Sequence, residues 1–275
     1  MSEGARKLEG AALRTLLSLV KEHTGITMEE RKKDLLVSRI RRRLRVLGLE
    51  TPEQYVDYLQ ATTEETQEFV NAVTTNETLF FRTPVIWEYF KKDFLPEWFK
   101  QNSGHTLRVW SAASSSGEEA HSLAMLCEDF KLTHPSFRYR IYGSDISTEV
   151  LNEAKSGVFK GRSIEELKTK FPDHFVKYFR AVSEGSYKAS DVLAQQMEFT
   201  VHNLHHRPPK NQFYDIVFLR NVMIYFNDRD QELVLQNIHR SMKNEAILIL
   251  GESESLARLK TPFLFKKPLI YQKGS

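Results

Sequence analysis

The spacing of apolar positions changes once along the chain, near Leu107, and the change divides it into two parts. Before that point the repeat is helical. In "AALRTLLSLVKEHTG" apolar residues return every three or four positions and stop at Gly25, which predicts an amphipathic helix closed by a glycine cap. Leu36, Ile40, Leu44 and Leu47 recur at spacings of four, four and three, predicting a second helix that ends near Gly48. "TPEQYVDYL" opens with Thr51 as N-cap, Pro52 at the first helical position and Gln54 placed to complete a capping box. A short helix is expected over 62–72. "TPVIWEYFKKDFLPEWF" repeats the opening, with Thr83 as the expected cap and Pro84 next.

From Leu107 the apolar runs are short and turn-bounded. "LRVWSA", "YRIYGSDIS", "MEFTVHN", "YDIVFL" and "EAILILGE" read as strands, and "PLIYQ" as an antiparallel edge closing the sheet. Helices are expected after "SSSG", from Ser147 or Thr148 as cap, and from Asp228 to Met242. Strands alternating with helices predict a mostly parallel sheet covered on both faces. Residues 157–197, with "SEGSY", interrupt the alternation and predict an inserted hairpin flap. The expected division is a helical domain over 1–73, a connecting segment over 74–105, and an α/β domain over 106–275.

"TTNETLFFR", Thr74 to Arg82, follows neither period. It sets five hydrogen-bonding side chains against two aromatics and a fixed cation. Such a block suits a loop across a polar ligand better than either regular element.

Composition narrows the class. With 275 residues, 41% hydrophobic and 27% charged, the chain can bury a proper core. No apolar run is long enough to span a membrane, and "MSEGARKLEG" lacks the apolar centre of a signal peptide, so the expected location is the cytoplasm. The single cysteine, Cys127, excludes an internal disulfide framework and a multi-cysteine zinc site, and its apolar neighbours suggest a buried small hydrophobe. The net charge is +3, yet Arg31 to Arg45 holds eight basic residues against one acid, Asp34. Lys32, Arg39, Arg42 and Arg43 fall mostly away from the apolar stripe. They form either a solvated basic face or a surface for a partner rich in phosphates or carboxylates.

The candidate chemistry lies where strands end. "SAASSSGEEA" supplies small residues for close approach to a ligand, but only Gly117 of a dinucleotide fingerprint, and Glu118 and Glu119 would oppose a pyrophosphate. Asp145, ending "GSD", either opens a turn or accepts both hydroxyls of a ribose. Adenosine without pyrophosphate, on a Rossmann-like sheet with a late antiparallel strand, points to S-adenosylmethionine, whose sulfonium two glutamates tolerate.

Taken together, "TTNETLFFR", "VWSAASSSGEEAHSLA", "GSDISTEVLNEAKSGVF" and "RNVMIYF" resemble the CheR family of chemotaxis receptor methyltransferases, in order and spacing over nearly the whole chain. The resemblance implies an all-α N-terminal domain before a Rossmann-like S-adenosylmethionine-dependent methyltransferase domain carrying a small β-subdomain. It implies methyl transfer to glutamate side chains of chemoreceptor cytoplasmic helices, giving glutamate methyl esters and S-adenosylhomocysteine. By resemblance, Asn76, Thr78, Arg82, Ala112, Glu119, Asp145, Asn203, Leu204, Leu219 and Arg220 line the cofactor site, with Asn203 at the adenine edge. Arg82 either pairs with the cofactor's carboxylate or guides the incoming glutamate. Arg220 and Tyr225 are the candidates for steering that glutamate or packing at the transferring methyl, and Arg39, Arg42 and Arg43 are those for docking the receptor. No metal, nucleic acid or membrane insertion is implied, and a monomer is expected. The segment "RAVSEGSYKASDVL" is shorter than in relatives that dock a receptor's C-terminal pentapeptide, which argues against tail docking. The competing readings are a nucleic-acid methyltransferase and a non-catalytic S-adenosylmethionine-binding adaptor.

Overall fold

The structure is a computed structural model that describes residues 10–28, 33–208 and 213–274. Four helices come first: α1 (Ala11–Thr24), α2 (Lys33–Leu47), α3 (Pro52–Ala61) and α4 (Thr63–Val73). Gly25 closes α1 in the left-handed conformation, its N–H returning to Lys21 O, and Thr51 and Gln54 form the expected capping box on α3. The apolar stripes meet in one core of Leu16, Val20, Leu36, Ile40, Leu44, Tyr55, Leu59 and Phe69. Arg31 and Lys32, at the start of the basic run, lie outside the described residues.

A single helical stretch then crosses to the sheet: α5 (Pro84–Tyr89), a π turn (Phe90–Phe94) and α6 (Leu95–Gln101). The connecting segment is therefore largely helical. Trp87 and Phe90 pack on Phe218 in the middle of the sheet. Thr83 does not cap α5: it adopts a left-handed conformation, φ 65°, with no side-chain bond to the helix.

The strands β1 (Thr106–Ala112) and β2 (Arg138–Asp145) flank α7 (Glu118–Thr133); α8 (Thr148–Ser156) follows β2. Next comes the insertion: β3 (Val158–Lys160), α9 (Arg162–Lys170), α10 (Pro172–Tyr178), β4 (Phe179–Ser183), β5 (Ser186–Ala189) and α11 (Asp191–Ala194). The expected flap is thus a three-stranded antiparallel sheet, ordered β3-β5-β4, backed by its own helices. The main sheet resumes with β6 (Met197–Val201), β7 (Tyr214–Leu219), α12 (Asp228–Arg240), β8 (Met242–Leu250), β9 (Phe263–Lys267) and β10 (Ile270–Lys273).

Its order is β6-β2-β1-β7-β8-β10-β9, parallel from β6 to β8, with β10 alone reversed and so antiparallel to both of its neighbours. The apolar runs are buried on both sides, as parallel strands require. Val109, Ile216, Phe218 and Ile249 face α5–α7, while Trp110, Val217, Leu219 and Leu250 face α12. Two expectations fail at the far edge. "PLIYQ" is not the edge, because β9 pairs outside it, and β9 was missed because Leu264 and Phe265 are exposed and followed by two lysines. Helix α12 also stops at Arg240, two residues early, since Met242 begins β8.

The order reverses between β1 and β7, so the loops leaving their C-terminal ends diverge and open a crevice. The helical domain is tied over it from both sides. Asn71 of α4 accepts from Thr148 N and Ser147 Oγ, so α8 is capped by the other domain and not by its own Ser147. On the opposite side Lys21 pairs with Asp230 of α12, and Thr27 N donates to Tyr225 O, 2.8 Å.

Candidate active site

The crevice holds a cavity of about 340 Å³, within the range of small-molecule sites. Its walls come from both ends of the chain. The strap Ile26–Met28 covers one side, and the Asn76–Arg82 block crosses another. The loops after β1, β2, β6 and β7 form the base.

"TTNETLFFR" is the irregular crossing that its pattern suggests. Asn76, Glu77, Thr78 and Arg82 line the cavity. Phe80 and Phe81 are buried behind it, Phe80 against Phe159 and Phe179, Phe81 against Trp87 and Phe171. Most of those partners belong to the small β-subdomain, so the aromatics anchor the block to the insertion. Phe81 sits at φ 50°, a sparsely occupied conformation for a bulky residue, held by a bond from its N–H to Ser122 Oγ at 3.0 Å. The carbonyl of Arg82 is fixed as well, accepting from Trp87 Nε1 at 2.7 Å and Arg220 Nη2 at 2.8 Å. Its guanidinium is exposed at the rim, with one long contact to Glu77 O.

Beneath it Glu119, one residue into α7, accepts from Ser111 Oγ at 2.7 Å and from Arg220 Nη1 at 2.8 Å. This buried pair changes the charge argument made from sequence. Glu119 faces the cavity but is balanced by Arg220. Glu118 turns away, accepting from Ser116 Oγ, and burial pushes its carboxyl above the usual range.

Asp145 ends β2 at the cavity wall. Its carboxylate accepts from Ser115 N at 2.9 Å and Ser147 N at 3.0 Å, and burial raises its pKa against those bonds. In geometry this residue organises two loops and lines the cavity.

Asn76, Thr78, Arg82, Glu119, Asp145, Asn203, Leu204, Arg220 and Tyr225 all line one cavity. Ala112 and Leu219 do not. Each is the last, buried residue of its strand, and the lining begins one position later, at Ala113 and Arg220. Asn203 reaches the wall, but its carboxamide is engaged: Nδ2 donates to His23 O and Oδ1 accepts from His205 N. The side chain therefore ties α1 to the sheet from the cavity wall. Sequence reasoning missed Ser114, His202, Asn221, Val222 and the Ile26–Met28 strap. The first four adjoin residues already singled out; the strap carries no local signal.

The docking set is also split. Arg39 donates to Val73 O and Thr75 Oγ1, pinning α2 to the start of the crossing block. Arg43 meets the buried Glu65 at 2.7 and 2.9 Å and Glu68 at 3.2 Å. Only Arg42 of the three is exposed, beside Arg41 and Arg45.

The lining fits the expected donor. Ser114 Oγ, His202 Nε2 and Arg220 Nε are buried polar atoms without a partner, all on lining residues. Burial without a partner is costly, so such atoms mark places where a ligand's polar groups are received. His202 is held neutral, its pKa lowered by burial to about 4, so it suits a hydrogen bond rather than an ion pair.

The family comparison decides the matter. Residues 76–268 match the family model described as the CheR methyltransferase, SAM binding domain, and residues 11–74 match the CheR methyltransferase, all-alpha domain. The chain belongs to the CheR methyltransferase family. It is 35% identical to a "Chemotaxis protein methyltransferase" of Salmonella typhimurium, covering 96% of this chain and 90% of the relative. The relative of the same description from Escherichia coli is also 35% identical, over 96% and 91%. That of Borreliella burgdorferi is 29% identical, over 95% and 94%. The chain thus carries the S-adenosylmethionine-binding domain of a CheR-type methyltransferase, and the cavity lies within the residues that this domain and the all-alpha domain span.

Proposed function

We propose that this CheR methyltransferase moves the methyl group of S-adenosylmethionine to glutamate side chains on chemoreceptor cytoplasmic helices, in chemotactic adaptation. The observation that carries the acceptor class is Arg82. Its backbone is locked at the cavity rim while its guanidinium points to solvent, a fixed cation where an anionic acceptor enters.

A glutamate acceptor asks little chemistry of the protein. Its pKa is about 4.3, so the carboxylate is ionised at neutral pH and needs no general base. One carboxylate oxygen attacks the methyl carbon as the carbon–sulfur bond breaks, leaving a methyl ester and neutral S-adenosylhomocysteine. No proton moves. The chain's part is orientation and exclusion of water, and orientation alone is worth roughly 7–11 kcal/mol. In this reading Asp145 receives the ribose hydroxyls and the Ser114 and His202 side chains meet other polar groups of the donor. Arg82 steers the carboxylate and Tyr225 borders the transfer. Arg220 acts by holding Glu119 and the Arg82 carbonyl, since two of its nitrogens are committed there.

The exposed arginines of α2, Arg41, Arg42 and Arg45, suit an acidic helical partner. A nucleic-acid acceptor lacks support: after β7 the chain reads "LRNVMIYF", without the Asn/Asp-Pro-Pro-aromatic segment that holds a flipped base. Cys127 is buried in α7, its thiol raised by burial, and does not line the cavity. A non-catalytic adaptor is disfavoured by the presence of Asp145, Glu119, Arg82, Arg220 and Tyr225 together. Among the described residues no helix is long and apolar enough to cross a membrane. The reading is of a monomer working in the cytoplasm. Incubation with methyl-labelled S-adenosylmethionine and either receptor cytoplasmic fragments or duplex DNA tests it. Base-labile label on the receptor fragment, released as methanol, is expected; label on DNA alone contradicts it.

A further inference from the structure

Glu254, outside the cavity lining and in a turn that follows β8, has an unusual set of partners. Its carboxylate is buried and accepts four backbone N–H groups. Oε1 takes Val222 N at 2.9 Å and Met223 N at 2.8 Å; Oε2 takes Asn221 N at 3.0 Å and Gly251 N at 2.7 Å. Three of the four belong to the loop after β7, the loop that carries Arg220, Asn221, Val222 and Tyr225 to the cavity.

That loop cannot hold its shape by itself. Asn221 sits at φ 57°, and the 3₁₀ turn Met223–Tyr225 has amide donors at its start with no helical acceptor. The carboxylate satisfies these donors and fuses the turn after β8 to the loop after β7. Gly251 completes the lock, since a Cβ there would lie 2.8 Å from Asn221 Nδ2 and from Glu254 Oε2. Tyr225 then uses its carbonyl to hold Thr27 N, so the strap over the cavity is registered through the same loop.

We propose that Glu254 is a positioning residue for methyl transfer, fixing the loop after β7 so that Tyr225 and the Arg220–Arg82 contact meet the reacting groups. The proposal rests on the reading of the cavity as the transfer site. Glu254→Gln preserves volume but leaves one acceptor oxygen and turns an amide N–H₂ towards two of the N–H groups. Its kcat for receptor-fragment methylation, read by single turnover, is expected to fall at least tenfold. Affinity for S-adenosylhomocysteine by calorimetry should fall by a clearly smaller factor than kcat, because Asp145 and the loop after β1, on other strands, keep their share of the cavity wall. Glu254→Ala should lose more. In parallel, hydrogen exchange at the amides of Val222 and Met223 should accelerate in Glu254→Gln while exchange in β1 and β2 stays unchanged. This arm stands even if the acceptor is not a receptor glutamate, which a wild-type enzyme inactive on receptor fragments would reveal separately. A folded Glu254→Gln with wild-type turnover, or with unchanged exchange at those amides, overturns the proposal. So does an equal loss of product affinity and of kcat, which would make the residue a support of the pocket as a whole. If Glu254→Ala fails to fold, Glu254→Gln alone decides.

Discussion

At the scale of single residues, the two oxygens of Asp145 accept from Ser115 N and Ser147 N, and in the proposed reading the same carboxylate also receives the ribose hydroxyls. Removing the whole carboxylate would strand two buried N–H groups, so Asp145→Asn is the cleaner test. Hydrogen bonds to a charged acceptor are worth roughly 1.5–3 kcal/mol each, and S-adenosylhomocysteine affinity should fall at least tenfold by calorimetry. An unchanged dissociation constant would remove Asp145 from the ribose contact. The place of this residue in the cavity wall was readable because an acid at the end of a second strand has a physical reason to be there. The same holds for "TTNETLFFR", whose mixture of polar and aromatic residues suits a crossing loop. Asn203 and Glu254 were not readable in this way. Both find their partners on backbone groups distant in sequence, and composition carries no trace of that.

Among elements, α2 shows most clearly what a periodic pattern does and does not say. The stripe Leu36, Ile40, Leu44 fixes the buried face, but it cannot tell a solvated arginine from one with an internal partner. Glu65 and Tyr55, buried on α4 and α3, make Arg43 part of the domain's interior wiring. Breaking a buried pair from one side costs about 3–5 kcal/mol. Arg43→Ala should therefore lower the thermal midpoint by several degrees, and a midpoint within a degree of the wild type would show that the pair is idle. In the proposed reading, docking belongs to the exposed cations. Arg42→Glu with Arg45→Glu should leave the midpoint and product binding unaltered and slow receptor methylation several-fold at low salt. The difference should shrink as salt screens it, the Debye length being about 10 Å at 0.1 M. Equal rates for variant and wild type at low salt would make this face merely solvated.

Across the whole molecule, the helical domain, the sheet and the insertion were legible as three kinds of pattern, because period and turn chemistry are local. Strand β9 was not, since an exposed edge strand has no complete apolar alternation to reveal it, whereas the antiparallel pairing of β10 was. The closure of the cavity from both domains also rests on long-range bonds. Buried groups leave a signature on stability. His121, one turn into α7 and fully buried, has its pKa lowered by burial from 6.5 to about 4. The unfolded chain takes up this proton near pH 6.5 and the folded chain does not until about pH 4. Its contribution is therefore intact above pH 6.5 and is lost as pH falls towards 4. At about 1.4 kcal/mol per pKa unit, the loss is about 3 kcal/mol. The raised carboxyls of Asp145, Glu118 and Glu254 act with the opposite sign, so the comparison with His121→Leu is the informative one. Denaturation curves of that variant should vary less steeply with pH across this interval, by about one proton; parallel slopes would show His121 charged in the fold.

The central claim is that this cavity delivers a methyl group to a receptor carboxylate guided by Arg82. Peptide mass mapping of receptor cytoplasmic fragments after reaction with S-adenosylmethionine tests it directly, run beside Arg82→Gln. The account predicts an added methyl on glutamate side chains, lost on mild base. It also predicts a strongly reduced rate for Arg82→Gln with product affinity retained. Methyl groups on lysine, histidine or arginine, or full activity without the Arg82 cation, would contradict it.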